Sequence, residues 1–240
     1  MSTFFDTLRT EFPGALLEGA YISSVSLALG RHGFHADNTL ACVGVCRDEI
    51  CQPFVNRVRD AWGEAFNLSS LGALLFAGKT AFFEAMHHSP EPDGRRRYVF
   101  FHLPHVALGR GGEIGEVHRR GQPGASGACG ALLMFQQAAI AGLVPTALDP
   151  DDMEQSLLGR VLGAHVPSGS MKDLLAITRV VHHVTLAQAD RMIGLTMHQD
   201  RSDWAVLTGI QVHGPEGVDY VWPSRSWAMV RGERVELVIR

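Results

Sequence analysis

Two short apolar segments do most to limit what this chain of 240 residues can fold into. Thr39–Cys46 and Arg97–Leu103 are rich in β-forming residues, and both are interrupted at their carboxyl ends. The charged run Arg47–Glu49 follows the first segment. Pro104, which cannot donate a hydrogen bond to a central ladder, follows the second. Both segments are therefore predicted to be buried strands that end in loops.

The residues between these strands predict a crossover helix. Pro53 suits the first turn of a helix, and the apolar residues after it recur at steps of three and four. These apolar residues are Val55, Val58, Trp62 and Phe66. A strand, a helix and a second strand predict an α/β fold with a mainly parallel central sheet flanked by helices. The length fits one domain over residues 1–240.

Apolar periodicity predicts the remaining elements. Further helices are predicted over residues 2–11, 16–29, 131–143, 151–162 and 171–193. Three closing segments, residues 206–212, 218–222 and 234–239, are predicted to be meander strands at one edge of the sheet.

Composition and charge exclude several classes of protein. Hydrophobic residues make up 46% of the chain, which excludes a mainly disordered protein. A formal net charge of -4 provides no positive field for a phosphate backbone, so nucleic acid is not expected as a partner. There is neither an apolar run of about 18 residues nor an unbroken apolar segment near Met1. We therefore expect a soluble, cytoplasmic protein with no membrane partner.

Three residues are predicted to meet at one edge of the sheet. The carboxyl ends of parallel strands form a ligand crevice, which brings Cys46 and His105 together. Cys129, which follows a glycine-rich connection and begins a predicted helix, can reach the same crevice, where the helix N-terminus stabilises a thiolate. Two thiolates and one imidazole occupy three corners of a tetrahedral Zn²⁺ and leave the fourth open, as in catalytic sites.

The other cysteines fit this site less well, and two alternatives stay open. Four residues of strand place Cys42 about 13 Å from Cys46, and Cys51 would have to fold back across the loop. Isolated cysteines and histidines without paired spacing are a weak zinc signal, and Cys129 with His105 as its base also fits a thiol nucleophile without metal. The segment from Gly72 to Thr80 resembles a phosphate-binding loop, but it has five residues between its glycines where that motif has four.

Four motifs resemble one known family. They are Val45-Cys46-Arg47-Asp48-Glu49, Gly72 through Leu75-Phe76-Ala77-Gly78-Lys79-Thr80 to His87-His88-Ser89-Pro90, Pro104-His105-Val106-Ala107-Leu108, and Arg119-Arg120-Gly121-Gln122 running on to Ser126-Gly127-Ala128-Cys129-Gly130-Ala131. In this order, over about residues 36–140, the chain is similar to the limiting-CO2-inducible LCIB/LCIC family, also called theta-class carbonic anhydrases. The resemblance implies a β-carbonic-anhydrase-like fold, a homodimer, and zinc held by Cys46, His105 and Cys129.

The resemblance also implies an activity, which is the reversible hydration of CO2 to bicarbonate. Asp48 matches the aspartate that orients the zinc-bound water. An apolar wall from Leu75, Phe76 or Phe82 would hold CO2, and His87, His88 or His102 would carry the surplus proton to solvent. The family also leaves room for catalytically silent members that bind CO2, bicarbonate or a partner chain.

One departure from the β-class pattern concerns the partner of Asp48. In β-class enzymes an arginine stands two residues after the aspartate, but here that residue is Ile50. We expect Arg119, in the glycine-rich connection, to pair with Asp48 instead. Arg47 is the second choice.

Overall fold

The computed structural model describes residues 3–144 and 146–240. Within these ranges the helices are α1 Phe4–Glu11, α2 Glu18–Gly30, α3 Gln52–Trp62, α4 Gly78–His88, α5 Gly130–Ile140, α6 Met153–His165 and α7 Leu174–Thr196. The strands are β1 Leu16–Leu17, β2 Thr39–Val45, β3 Ala65–Asn67, β4 Arg96–Leu103, β5 His105–Ala107, β6 Glu116–Val117, β7 Ser126–Gly127, β8 Ser202–His213, β9 Asp219–Pro223, β10 Ser226–Val230 and β11 Glu233–Leu237.

The central sheet has nine strands, in the order β1-β9-β8-β4-β2-β3, with β5 and the β10–β11 pair attached to β8. β2 pairs in parallel with both β3 and β4, and β8 pairs in parallel with both β4 and β5. The strands β1, β9, β10 and β11 are antiparallel to their neighbours. The predicted α/β fold with a parallel centre and flanking helices is confirmed.

The predicted strand–helix–strand unit is present as β2, α3 and β4. Every residue of β2 is buried, as expected of a strand covered on both faces. α3 has Pro53 in its first turn and buries Phe54, Val58 and Trp62, and it ends where Gly63 adopts a positive φ of 83°. Phe66, predicted to lie on the same helix, belongs to β3 instead.

Some predicted elements differ from the structure. The helix predicted over residues 16–29 begins only at Glu18, because Leu16 and Leu17 pair with β9. Of the first predicted helix, Ser2 lies outside the described residues. β10 was not predicted.

The predicted edge position of residues 206–212 is wrong. They belong to β8, a central strand with all twelve of its residues buried. β4 and β5 lie along one side of β8, and β10 and β9 lie along the other. Its near-continuous apolar run, Trp204 to Val212, is typical of a strand covered on both faces, whereas a meander strand alternates.

Alternate residues of β2, β4 and β8 divide the core into two clusters. Val43, Phe101 and Leu207 pack in the larger cluster, on what we call the site face of the sheet. Cys42, Phe100 and Val206 pack in the smaller cluster, on what we call the opposite face. α3 and α5 contribute to the site face, whereas α4 covers the opposite face with Phe82, Ala85 and Met86.

Candidate metal centre

Cys46 lies where β2 stops. The strand ends at Val45, whose carbonyl accepts a hydrogen bond from the Ser70 backbone N–H at 3.2 Å. Continued alternation would put Cys46 on the opposite face with Cys42, because the two cysteines are four positions apart, which is an even step along a strand. The strand ends first, and Cys46 is buried on the site face.

His105 lies beyond the break that Pro104 makes in the sheet. β4 ends at Leu103, and His105 begins the separate strand β5, so the residue is the start of a short strand rather than part of a loop. The backbone N–H of Gln211, on β8, donates to the Pro104 carbonyl at 2.8 Å and closes the break. The His105 imidazole is buried, and among the described residues neither ring nitrogen has a hydrogen-bond partner.

Cys129 completes the predicted group of ligands. It is the N-cap residue of α5, and its Sγ lies 3.5 Å from the Cys46 Sγ, too far for a disulfide bond. One ligand atom from each of Cys46, His105 and Cys129 lies within 4.8 Å of the others, and all three residues are buried. The structure thus brings together the three residues that the strand-end argument selected.

Cys46 and His105 favour each other's charged form, whereas Cys129 favours the neutral thiol. The Cys129 S–H hydrogen bond lowers the pKa of Cys46 to about 4 against the effect of burial, and His105 adds to this shift. The same hydrogen bond, with burial, raises the pKa of Cys129 well above its usual value. Burial acts to lower the pKa of His105, but the charge of Cys51 and the contacts with Cys129 and Cys46 outweigh burial and raise this pKa well above its usual value. The thiolate, which is the form that binds metal, is therefore favoured at Cys46.

Asp48 and Arg119 lie in contact beside this group. Nη2 of Arg119 is 3.0 Å from both carboxylate oxygens of Asp48, so the pairing expected from the sequence is present. Asp48 Oδ2 is 4.0 Å from His105 Nε2. Burial raises the pKa of Asp48, and the charges of His105 and Arg119 oppose that shift. The side chain of Ile50 gives no charge, but its backbone N–H donates to Asp48 Oδ1 at 3.4 Å.

Arg119 also binds three other groups. Its Nε lies 2.5 Å from a Glu49 carboxylate oxygen, and its Nη1 donates to the Ser126 hydroxyl at 2.7 Å and to the Gly127 carbonyl at 3.0 Å. Arg47, the second choice as a partner of Asp48, pairs with Glu154 at 2.8 Å instead.

The opposite face holds several residues that the sequence had assigned to the site. Leu75 and Phe82, two candidates for an apolar wall, pack with Cys42 in the opposite-face cluster, and only Phe76 packs against the site-face cluster. His102 stacks on Phe82 and Phe100 and is 1% exposed. It cannot deliver a proton to solvent, because burial lowers its pKa to about 3. His87 and His88 are exposed at the end of α4.

Sequence reasoning missed a second group beside His105. Cys51 does fold back: its Sγ lies 3.7 Å from His213 Nε2, and His213 Nδ1 lies 3.0 Å from Asp219 Oδ1. His213 ends β8, so the rule for strand ends would have found it if β8 had been recognised as a parallel strand. His213 and Asp219, with Arg119, line a cleft of about 1290 Å³.

None of the helices in the described parts of the chain has the length and apolar character needed to span a membrane.

Comparison with known proteins identifies the family. The chain is 27% identical to limiting CO2-inducible protein LCIB, whose crystal structure it matches with a TM-score of 0.81 over 97% of this chain and 98% of that one. The crystal structure of PtLCIB4, a homolog of LCIB, matches with a TM-score of 0.85 over 97% of this chain and 99% of that one, at 24% identity. No curated protein matches. The family of limiting CO2-inducible proteins B/C beta carbonic anhydrases matches residues 15–230, and the chain therefore belongs to this family.

Proposed function

We propose that this protein is a zinc-dependent carbonic anhydrase that interconverts CO2 and bicarbonate, with Cys46, His105 and Cys129 as its metal ligands. One observation carries the proposal. Three buried ligand atoms from these residues lie within 4.8 Å of one another, and the imidazole among them has no hydrogen-bond partner among the described residues. A buried polar side chain with no partner is costly, and a metal ion would satisfy it.

The donor set fits zinc. Sulfur and imidazole nitrogen are the ligands that Zn²⁺ takes in proteins, and three protein ligands are typical of a catalytic site. Asp48 lies outside the group of three, because its carboxylate is bound by Arg119. When bound, Zn²⁺ lowers the pKa of water and so supplies a nucleophile for CO2 at neutral pH.

Asp48 and Arg119 would prepare the water for attack. The Asp48 carboxylate, 4.0 Å from His105 Nε2, is near enough to the ligand group to accept a proton of the reacting water and to orient its lone pair. Arg119 keeps this carboxylate ionised and fixed, because burial alone would favour the neutral acid. This arrangement replaces the arginine two residues after the aspartate, where the chain has Ile50.

Two measurements on the purified protein test the proposal. Zinc analysis should give about one ion per chain, and stopped-flow CO2 hydration should show a zinc-dependent rate that a chelator removes and added zinc restores. Zinc without hydration would instead support a catalytically silent member that binds CO2, bicarbonate or a partner. If the protein neither binds zinc nor hydrates CO2, the alternative is a metal-free thiol enzyme, with Cys129 as nucleophile and His105 as base.

The cytoplasmic location and the homodimer stay predictions. Sedimentation of the purified protein measures the second.

A further inference from the structure

The imidazole of His105 needs a partner even when a metal is bound. A histidine ligand gives one ring nitrogen to the metal, and the other ring nitrogen carries a proton. That N–H normally donates to a carboxylate, a carbonyl or water, which fixes the tautomer and the direction of the ring. Among the described residues, neither ring nitrogen of His105 has a hydrogen-bond partner.

Besides Cys46, Cys129 and the Asp48 carboxylate, which lies 4.0 Å from Nε2, a further thiol and a second imidazole lie beside His105. One ring nitrogen of His105, the Cys51 Sγ and one ring nitrogen of His213 all lie within 4.8 Å of one another. The rings of His105 and His213 meet edge to face, with their centroids 5.2 Å apart and their planes at 76°. This contact limits rotation of the His105 ring.

These two groups continue to a carboxylate. His213 Nε2 lies 3.7 Å from the Cys51 Sγ, and His213 Nδ1 lies 3.0 Å from Asp219 Oδ1. Because a carboxylate only accepts, His213 Nδ1 carries a proton, and Nε2 either accepts the Cys51 S–H or donates to a thiolate. In both cases the sulfur keeps a lone pair for the N–H of His105.

We propose that Cys51, His213 and Asp219 are positioning residues that hold His105 in the tautomer and orientation a metal needs. The proposal rests on the proposed function, since it takes His105 as a metal ligand. Asp219 fixes the protonated nitrogen of His213, and His213 fixes the Cys51 sulfur. This sulfur, within 4.8 Å of a His105 ring nitrogen, is placed to take the His105 N–H once a metal holds the other nitrogen. The series runs from the buried ligand to the wall of the cleft, where His213 and Asp219 lie.

The test measures zinc affinity by competition with a chelator, using the full chain. Loss of a residue that supports a histidine ligand typically weakens metal binding by about 10–100-fold. We expect a loss in this range for Cys51→Ala and for Asp219→Ala. Cys51→Ser and Asp219→Asn each keep an acceptor at the same place, and they should restore most of the affinity.

A matched control separates positioning from packing. Cys42 is also a free, fully buried thiol, but it lies on the opposite face, so Cys42→Ala removes the same atoms without touching His105. We expect unchanged zinc affinity for this variant. If Cys51→Ala does not fold, Asp219→Ala and Asp219→Asn carry the test, because Asp219 lies on the wall of the cleft.

Cobalt substitution gives a readout other than activity. The d–d absorption of Co²⁺ reports ligand geometry, and it should shift in Cys51→Ala and Asp219→Ala but not in Cys42→Ala. Affinity and spectra that match wild type in both positioning variants would overturn the proposal.

A second outcome would also overturn it. Cys51, His105 and His213 form a group with ligand spacing, so they are themselves a possible metal site. A Cys46→Ala/Cys129→Ala double variant that binds one Co²⁺ with a single thiolate charge-transfer band would show that these residues are ligands and not supports. We expect no stoichiometric binding. Wild type that binds no zinc would instead remove the proposed function, a result distinct from zinc-bound wild type with unaffected variants.

Discussion

The two faces of the central sheet carry the same pair of residue types in opposite electrostatic states. On the opposite face, Cys42 and His102 are buried without charged neighbours, and burial raises the pKa of Cys42 and lowers that of His102 to about 3. On the site face, Cys46 and His105 are equally buried, yet the pKa of Cys46 falls and that of His105 rises. Burial alone favours neutral groups, whereas contact with a group of opposite charge favours the charged form of Cys46 and His105.

The position of each histidine relative to a strand end decides which face of the sheet it lies on. His102 lies within β4 and stacks on Phe82 and Phe100, whereas His105 lies beyond the break at Pro104, at the start of β5, beside Cys46 and Cys129. On the opposite face, Gly44 makes room for His102, because a Cβ at that glycine would lie 2.6 Å from its Nδ1. The buried histidine inside β4 is therefore a packed ring, whereas His105 and His213, at strand ends, meet other polar groups.

The largest effect on bound zinc should appear when single cysteines of the two faces are replaced by alanine. Cys129→Ala and Cys46→Ala should each lose most of the bound zinc, because two protein ligands hold the ion too weakly. Cys42→Ala should keep it. Zinc analysis of the three purified variants checks this, and stoichiometric zinc in Cys129→Ala would show that the ligand set is wrong.

A smaller loss should follow from neutralising the carboxylate beside the ligands. Asp48→Asn keeps the shape but removes the charge that orients the water, so we expect zinc to stay and the hydration rate to fall by about 10²–10³. Asp60→Asn is the control, since Asp60 is an exposed carboxylate on α3, and its rate should be normal. A normal turnover number for Asp48→Asn in stopped-flow assays would remove this residue from the mechanism.

Loss of the arginine should cost less than loss of the carboxylate. In Arg119→Ala the Ile50 backbone N–H still holds Asp48, so we expect a decrease in hydration rate of about 10–100-fold with zinc retained. Arg47→Ala, which removes the cation paired with Glu154, should have a normal rate. Equal rates for the two variants would contradict the role of Arg119.

The smallest effect concerns stability on the opposite face. The pKa of His102 is about 3 in the folded protein and near 6.5 when unfolded, so the unfolded chain binds the extra proton between these values. Above pH 6.5 the ring is neutral in both states, and burying it carries no protonation penalty. As the pH falls from 6.5 toward 3, the unfolded chain takes up the proton and the free energy of unfolding decreases. Between roughly pH 7 and pH 5.5, wild type should lose about 1 kcal/mol more than His102→Phe. Urea denaturation of both proteins at each pH measures this difference, and parallel losses would contradict it.

The ligand group was predictable from the sequence because it depends on local signals. Pro104 and the charged run after Cys46 mark two strand ends, and parallel strands bring their carboxyl ends to one edge. Cys129 follows from its place at the start of α5. None of these inferences needs the pairing register.

The rest of the centre depends on register, which the sequence pattern leaves open. Leu75 and Phe82 were assigned to the wrong face because nothing local tells which side α4 covers. His213 was missed because an apolar run buried on both faces, like β8, does not reveal its direction relative to β4. Asp48 is implied by the resemblance to a family. Because residue 50 is not an arginine, the partner of Asp48 is expected elsewhere, at Arg119.

Arg119 makes the order of one loop and the charge of one carboxylate interdependent. The guanidinium that contacts Asp48 and Glu49 also donates to Ser126 and Gly127 of the glycine-rich connection. Arg119 itself is 70 or more residues from the two carboxylates in sequence. Displacement of this connection would remove the cation from Asp48 and favour the protonated carboxyl, because burial already raises the pKa of Asp48. Under the proposed function, the order of this connection would therefore set how much of the protein carries a charged carboxylate beside the ligands.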